Sequence, residues 1–82
     1  MKKNKILAII GLGYVGLPLA VAFSKKFKVI GYDSNKYRIL ELKKNIDNTG
    51  EVTKQQLKNS KKLTMTKEKK DISSANIYVI TV

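Results

Sequence analysis

The amino-acid sequence predicts an α/β domain built on a doubly wound parallel sheet. Three observations point there. Ile6-Leu7-Ala8-Ile9-Ile10 is a short, unbroken apolar run, as expected of a strand buried on both faces. Gly11, Gly13 and Gly16 follow at once and lead into a second apolar run, which places a sharp turn between a strand and a helix. Strand-like and helix-like segments then alternate along the chain, an order that closes through right-handed crossovers.

Each element has its own local justification. Residues 14 to 26 read as the first helix. Pro18 lacks an N–H and belongs in the first turn or at a bend, while Lys25 and Lys26 suit the negative end of the helix dipole. Phe27 to Tyr32 reads as the second strand, closed by Asp33. Ser34 or Asn35 caps a helix over residues 35 to 46, with Ile39, Leu42 and Ile46 on its inner face. Asn48-Thr49-Gly50 breaks that pattern. Thr53 stands three residues before Gln56, a capping-box spacing, with Val52 and Leu57 at the two staple positions, so a short helix follows at 54 to 60. Leu63 to Thr66 alternates like a strand. Lys67 to Ala75 reads as a short polar helix or turn with Ile72 and Ala75 inward. Ile77 to Val82, rich in β-branched residues, reads as a central strand.

Composition excludes several functions. The 82 residues contain no cysteine and no histidine. Within them there is therefore no disulfide, no thiolate metal site, no cysteine nucleophile and no imidazole base. The apolar run from Val15 to Phe23 is too short to span a bilayer. Met1 to Lys5 lacks the uninterrupted apolar region and cleavage site of a secretory signal, so the expected setting is cytoplasmic, without a membrane partner. A net charge of +11 raises the question of nucleic acid. The lysines are strewn along the chain, arginine occurs once (Arg38), and no aromatic residues alternate with the basic ones. A solvated lysine surface is the expectation, with no nucleic-acid partner.

Two features suggest the opening part, residues 1–82, of a larger dinucleotide-binding domain, truncated after its fourth strand. The last strand runs to the terminal residue with no loop after it, although such loops build the crevice of an open parallel sheet. The helix from Val15 to Phe23 also lacks a polar face, so a covering element is expected on its outer side, and the chain alone is expected to self-associate.

Gly11-Leu12-Gly13-Tyr14-Val15-Gly16 is a G-x-G-x-x-G sequence, with Ala20 four residues beyond, set between a strand and a helix. That context makes the fold Rossmann-like. Gly11 permits the turn, Gly13 leaves room for a pyrophosphate, and Gly16 allows close packing. The N–H groups opening the helix, Tyr14 and Val15 among them, lack helical partners and favour an anion. Tyr14's ring is expected to pack locally. Asp33 ends the second strand, where an acid accepts hydrogen bonds from the adenosine ribose and repels a 2′-phosphate, which selects NAD over NADP. Arg38 reads equally as a contact on the adenosine side and as a solvated helix residue. A methyl-donor site usually carries an acid just before its glycine turn, where Ile9 and Ile10 stand. A flavin site shares the spacing, though a glutamate would suit it better than Asp33.

The stretch "KILAIIGLGYVGLPLAVAFSKKFKVIGYDSNKYRILELKKN" resembles the amino-terminal end of the UDP-glucose/GDP-mannose dehydrogenase family, the nucleotide-sugar 6-dehydrogenases, with "GLGYVGLPLA" the most specific part. "IDNTGEV" resembles the branch that oxidises UDP-N-acetylhexosamines for polysaccharide synthesis. The resemblance implies NAD contacts from Tyr14, Val15, Asp33 and Arg38, and near the fourth strand from Thr81 and Val82. It implies a UDP-sugar substrate whose C6 alcohol becomes a carboxylate in two NAD-dependent steps, in a homo-oligomer. The family's cysteine nucleophile and its lysine and asparagine helpers lie further along than residue 82, so no catalytic residue is assigned here. A non-enzymatic nucleotide-binding module and a structural fragment without ligand are the alternative readings.

Overall fold

A computed structural model of the chain describes residues 5–81. Its elements run β1 (Ile6–Ile10), α1 (Gly16–Phe23), β2 (Lys28–Tyr32), α2 (Lys36–Lys43), α3 (Lys54–Asn59), β3 (Leu63–Thr66), a 3₁₀ turn (Lys69–Ile72) and β4 (Ile77–Ile80). The four strands are parallel in the order β3-β2-β1-β4. Two successive crossovers in one direction, β1 to β2 to β3, carry their helices to the same face.

Register shows which residues form that face. Leu7 lies beside Val29 and Ile77, and Val29 beside Leu63, so all four point the same way. Leu7, Ile9, Val29 and Leu63 pack there with Leu17, Ala20 and Val21 of α1, Ile39 and Leu42 of α2, and Leu57 of α3. Ile9, Leu17 and Leu42 are fully enclosed, each contributing about 1.5–3 kcal/mol of hydrophobic stabilisation. The opposite face is covered by the β3-to-β4 connection. Its 3₁₀ turn lies against β2, and the Tyr78 hydroxyl donates to the Ile72 carbonyl at 2.7 Å. Ala8 and Ile30 are buried beneath it, and Ile72 and Ala75 are half-buried, in line with their expected inward direction.

α2 and α3 are capped as the sequence implies, and the helices keep shorter bounds than expected. Asn35 caps α2, its side chain accepting from the N–H groups of Tyr37 and Arg38. Thr53 and Gln56 form a complete capping box on α3, and Val52 and Leu57 are both buried beside it. α2 ends at Lys43 rather than at residue 46, because Asn45 turns to a positive φ of 62°. Ile46 is therefore 45% exposed and not on the inner face. α1 covers 16 to 23 rather than 14 to 26: Tyr14 and Val15 belong to the turn, and Pro18 sits in the first turn. On its outer side Ala22 is exposed while Pro18 and Leu19 are half-buried.

β4 corrects a further expectation. Its β-branched composition reads as a central strand, yet among the described residues it lies at the sheet edge, with Ile80 69% exposed. Composition reports a preference for pleated backbone; position in the sheet is set by the crossover.

Candidate functional site

The glycine loop occupies the carboxyl end of β1, between the ends of β2 and β4. Gly11 turns at φ +99°, and its N–H donates to the Tyr32 carbonyl at 2.8 Å. A Cβ on Gly11 would overlap the Thr81 carbonyl, and one on Gly16 would overlap both the Gly11 carbonyl and the Thr81 hydroxyl. Gly16 thus serves close packing, against the loop and Thr81. Gly13 is different: its Cβ would meet nothing within 4 Å. Nothing in the fold needs that position bare, so the open space there fits a group from outside the chain.

α1 has no side-chain cap. Among the described residues, the N–H groups of Gly13, Tyr14 and Val15 make no hydrogen bond. Leu17 N–H reaches back to the Gly13 carbonyl at 3.2 Å, closing the first turn behind them. Three unpaired donors at the positive end of a helix form an arrangement that can take an oxyanion. The Tyr14 ring is 68% exposed and does not pack locally as expected.

Asp33 sits at this loop. Its Oδ2 accepts the Leu12 N–H at 3.0 Å and its Oδ1 accepts the Asn35 N–H at 2.9 Å. The carboxylate therefore makes a local turn and grips the glycine loop at once. A carboxylate has about four acceptor positions, so it retains capacity for hydroxyl donors. Thr81 reaches the same loop from β4, its hydroxyl donating to the Gly11 carbonyl at 2.7 Å. Val82 lies outside the described residues.

Arg38 is not a solvated helix residue. Its side chain is one-tenth exposed; Nε donates to the Leu12 carbonyl at 2.7 Å, and Nη1 pairs with Glu41 at 3.0 Å and Asp47 at 2.9 Å. Nη2 is buried without a partner among the described residues. Asp47 in turn accepts from the Thr49 hydroxyl at 2.7 Å and from the N–H groups of Thr49, Glu51 and Val52, each at 3.0 Å. Burial pushes the Asp47 carboxyl up. The hydrogen bonds from Thr49, Arg38 and Val52 outweigh it and hold the pKa down at about 2.

Sequence reasoning missed Asp47 and Gly31. Asp47 carried a signal, an acid opening Asp-Asn-Thr-Gly, the pattern of a carboxylate collecting the N–H groups of its own turn. A glycine inside a strand signals a close approach: the buried Leu12 side chain packs on Gly31, where a Cβ would come within 2.9 Å of it.

A larger groove lies elsewhere. About 540 Å³ in volume, it lies where the strands begin, lined by Lys5, Lys26, Lys28, Lys61 and Lys62 with no carboxylate. The fold gathers there lysines that are dispersed in sequence. A smaller opening of about 420 Å³, lined by Gly11, Leu12, Gly13, Tyr32, Asp33 and Thr81, is the candidate site, because Gly13 with its free N–H and the Asp33 acceptor meet there. Among the described residues no group of His, Cys, Asp and Glu side chains could hold a metal ion, and no helix is long and apolar enough to cross a membrane.

Comparison with known proteins agrees with this geometry. The chain is 53% identical over 76 residues to a UDP-N-acetyl-D-glucosamine 6-dehydrogenase of Salmonella typhi, and 49% identical over 79 residues to Protein CapL of Staphylococcus aureus. These matches cover 93% and 96% of the chain and 18% of each relative. The structure of a UDP-D-ManNAc dehydrogenase from Pyrococcus horikoshii superimposes with a TM-score of 0.87 at 30% identity, over 94% of this chain and 20% of that one. The chain thus spans about a fifth of the length of these proteins. Residues 5–82 match the model of the NAD binding domain of the UDP-glucose/GDP-mannose dehydrogenase family, and the chain belongs to that family.

Proposed function

We propose that the chain is the opening part of a dinucleotide-binding domain and holds the adenosine diphosphate portion of NAD at the mouth of α1. It serves a cytoplasmic, homo-oligomeric enzyme that oxidises the C6 alcohol of a UDP-sugar, specifically a UDP-N-acetylhexosamine, to the carboxylate for polysaccharide synthesis. The names of the relatives support the substrate class. One observation carries the cofactor site: Gly13, whose N–H is unpaired among the described residues, shares a crevice with Asp33, and the unpaired N–H groups of Tyr14 and Val15 follow it at the mouth of α1.

In this reading Gly13, Tyr14 and Val15 donate main-chain hydrogen bonds to diphosphate oxygens, and the bare Gly13 lets those oxygens approach. Asp33 accepts from the adenosine ribose hydroxyls and excludes a 2′-phosphate by charge repulsion. Hydrogen bonds to a charged acceptor contribute about 1.5–3 kcal/mol each. Gly11, Gly16 and Thr81 hold the loop's shape, Thr81 borders the crevice on the side away from the ribose, and Val82, the next residue in the chain, is the further cofactor contact of this reading. Arg38 fixes the loop from beneath. Bound NAD would supply the hydride acceptor, and conversion of the alcohol to the carboxylate would need two such oxidations with a water supplying the second oxygen.

Calorimetric titration of the protein with NAD, and with NADP in parallel, tests the reading. Saturable heat with NAD and binding at least tenfold weaker with NADP is the expected result. Equal affinity for the two would remove Asp33 from its role, and no binding of either would overturn the cofactor site.

A further inference from the structure

We propose that Asp47, which lies outside the crevice, is a positioning residue for it: acting through Arg38, it aims the Gly13 N–H at the bound diphosphate. The inference rests on the cofactor reading above and goes beyond it by naming what sets the loop's donors in place.

The peptide linking Leu12 to Gly13 carries both groups that matter. A trans peptide is planar, so its C=O and N–H point in opposite directions. Whatever holds the Leu12 carbonyl therefore aims the Gly13 N–H the other way. Arg38 Nε holds that carbonyl at 2.7 Å, and Asp33 holds the N–H on the other side of Leu12 at 3.0 Å.

Arg38 is itself held. Its guanidinium is a rigid planar fork, so anchoring Nη1 sets the direction of Nε. Two carboxylates anchor Nη1, Glu41 from the same helix and Asp47 from nine residues away. The Asp47 side chain has no exposed surface and is fixed by four further hydrogen bonds from Thr49, Glu51 and Val52. Asp47 can therefore act on a ligand only through another residue. Nη2, buried and without a partner among the described residues, adds no anchor of its own, so Nη1 and Nε carry the orientation.

The test is Asp47→Asn in the protein, which keeps the side chain's size and removes its charge. Val52→Ala serves as the control, since it loosens the same loop by removing a buried side chain and keeps the main-chain N–H that Asp47 accepts. The main readout is the Gly13 amide resonance in the ligand-free protein, which reports the loop without requiring any binding. In D47N that resonance is expected to shift and NAD affinity to fall about tenfold, the size of effect seen when a residue supporting a binding group is removed. Adenosine, which has no phosphate, is expected to bind both proteins alike. In V52A the Gly13 amide and NAD affinity are expected to stay at the wild-type values.

An unmoved Gly13 amide in D47N would overturn the inference, and so would NAD affinity falling in both variants only in proportion to lost stability. Should D47N fail to fold, Arg38→Lys carries the test, because lysine keeps the charge opposite Asp47 and loses the fork that reaches Leu12. Its Gly13 amide is expected to shift, and an unchanged one overturns the inference. Failure of the wild-type protein to bind NAD would count against the cofactor reading, and the amide shift would still decide the role of Asp47.

Discussion

α1 and α3 open in opposite ways. At α3, Thr53 and Gln56 satisfy each other's main-chain N–H groups, and Val52 and Leu57 close the apolar side. At α1 no side chain caps the helix, and the N–H groups of Gly13, Tyr14 and Val15 stay unpaired among the described residues. A helix end without caps is unfavourable by itself. α3 shows that this chain can build a complete cap, so the bare end of α1 fits the use proposed for it. An end that terminates a helix consumes its donors internally, whereas one that receives a ligand keeps them free and is supported from behind, here by Asp33, Arg38 and Thr81.

The strongest way to break this comparison is Gly16→Ala. The added Cβ would overlap the Gly11 carbonyl and the Thr81 hydroxyl, so a stability loss of about 3 kcal/mol or more is expected, read as a lowered urea midpoint together with lost NAD binding. Asp33→Ala comes next. It removes the acceptor of the Leu12 and Asn35 N–H groups and the proposed ribose acceptor, and an affinity loss of about 1.5–3 kcal/mol in an NAD titration is expected.

Gly13→Ala sharpens the contrast most cleanly. Its Cβ meets nothing within 4 Å, so the unfolding midpoint should move by less than about 0.5 kcal/mol. NAD affinity should nevertheless fall about tenfold, because the methyl group occupies the space left for the diphosphate. A variant with unchanged affinity would remove Gly13 from the diphosphate site.

Thr53→Ala is the mirror experiment. Losing the cap should lower stability by about 1 kcal/mol in chemical denaturation and leave NAD affinity unchanged. The smallest effect is on pH dependence. Asp47 has its folded-state pKa depressed from 3.8 to about 2, so its contribution is complete above about pH 4 and is lost as the pH falls towards 2. Acid unfolding of D47N should therefore be flatter than that of the wild type across this interval.

Much of the fold and part of the site are legible in the amino-acid sequence. The strand before the glycines, the capping box at Thr53 and Asp33 at the end of β2 depend on neighbours within a few positions, and all appear where expected. The features that the sequence misplaces share the opposite property. Ile46 continues the apolar spacing of α2, but Asn45 has already ended the helix. The sequence leaves Arg38 open between a site contact and a solvated surface residue. Its partners are Leu12, Glu41 and Asp47, of which only Glu41 lies one helical turn away. β4 looks central by composition and lies at the edge among the described residues.

By itself, then, the order of residues determined which segments are strand or helix, where the backbone must be bare, and which carboxylate follows the second strand. These follow from periodicity, glycine φ and caps, which act over a few residues. Only the tertiary structure decided that Asp33 would grip a residue 21 positions earlier and that Arg38 would reach one 26 positions earlier. It also decided that Asp47 would stand behind them both. Those contacts exist because parallel pairing brings the ends of β1 and β2 side by side, a proximity that no local pattern encodes.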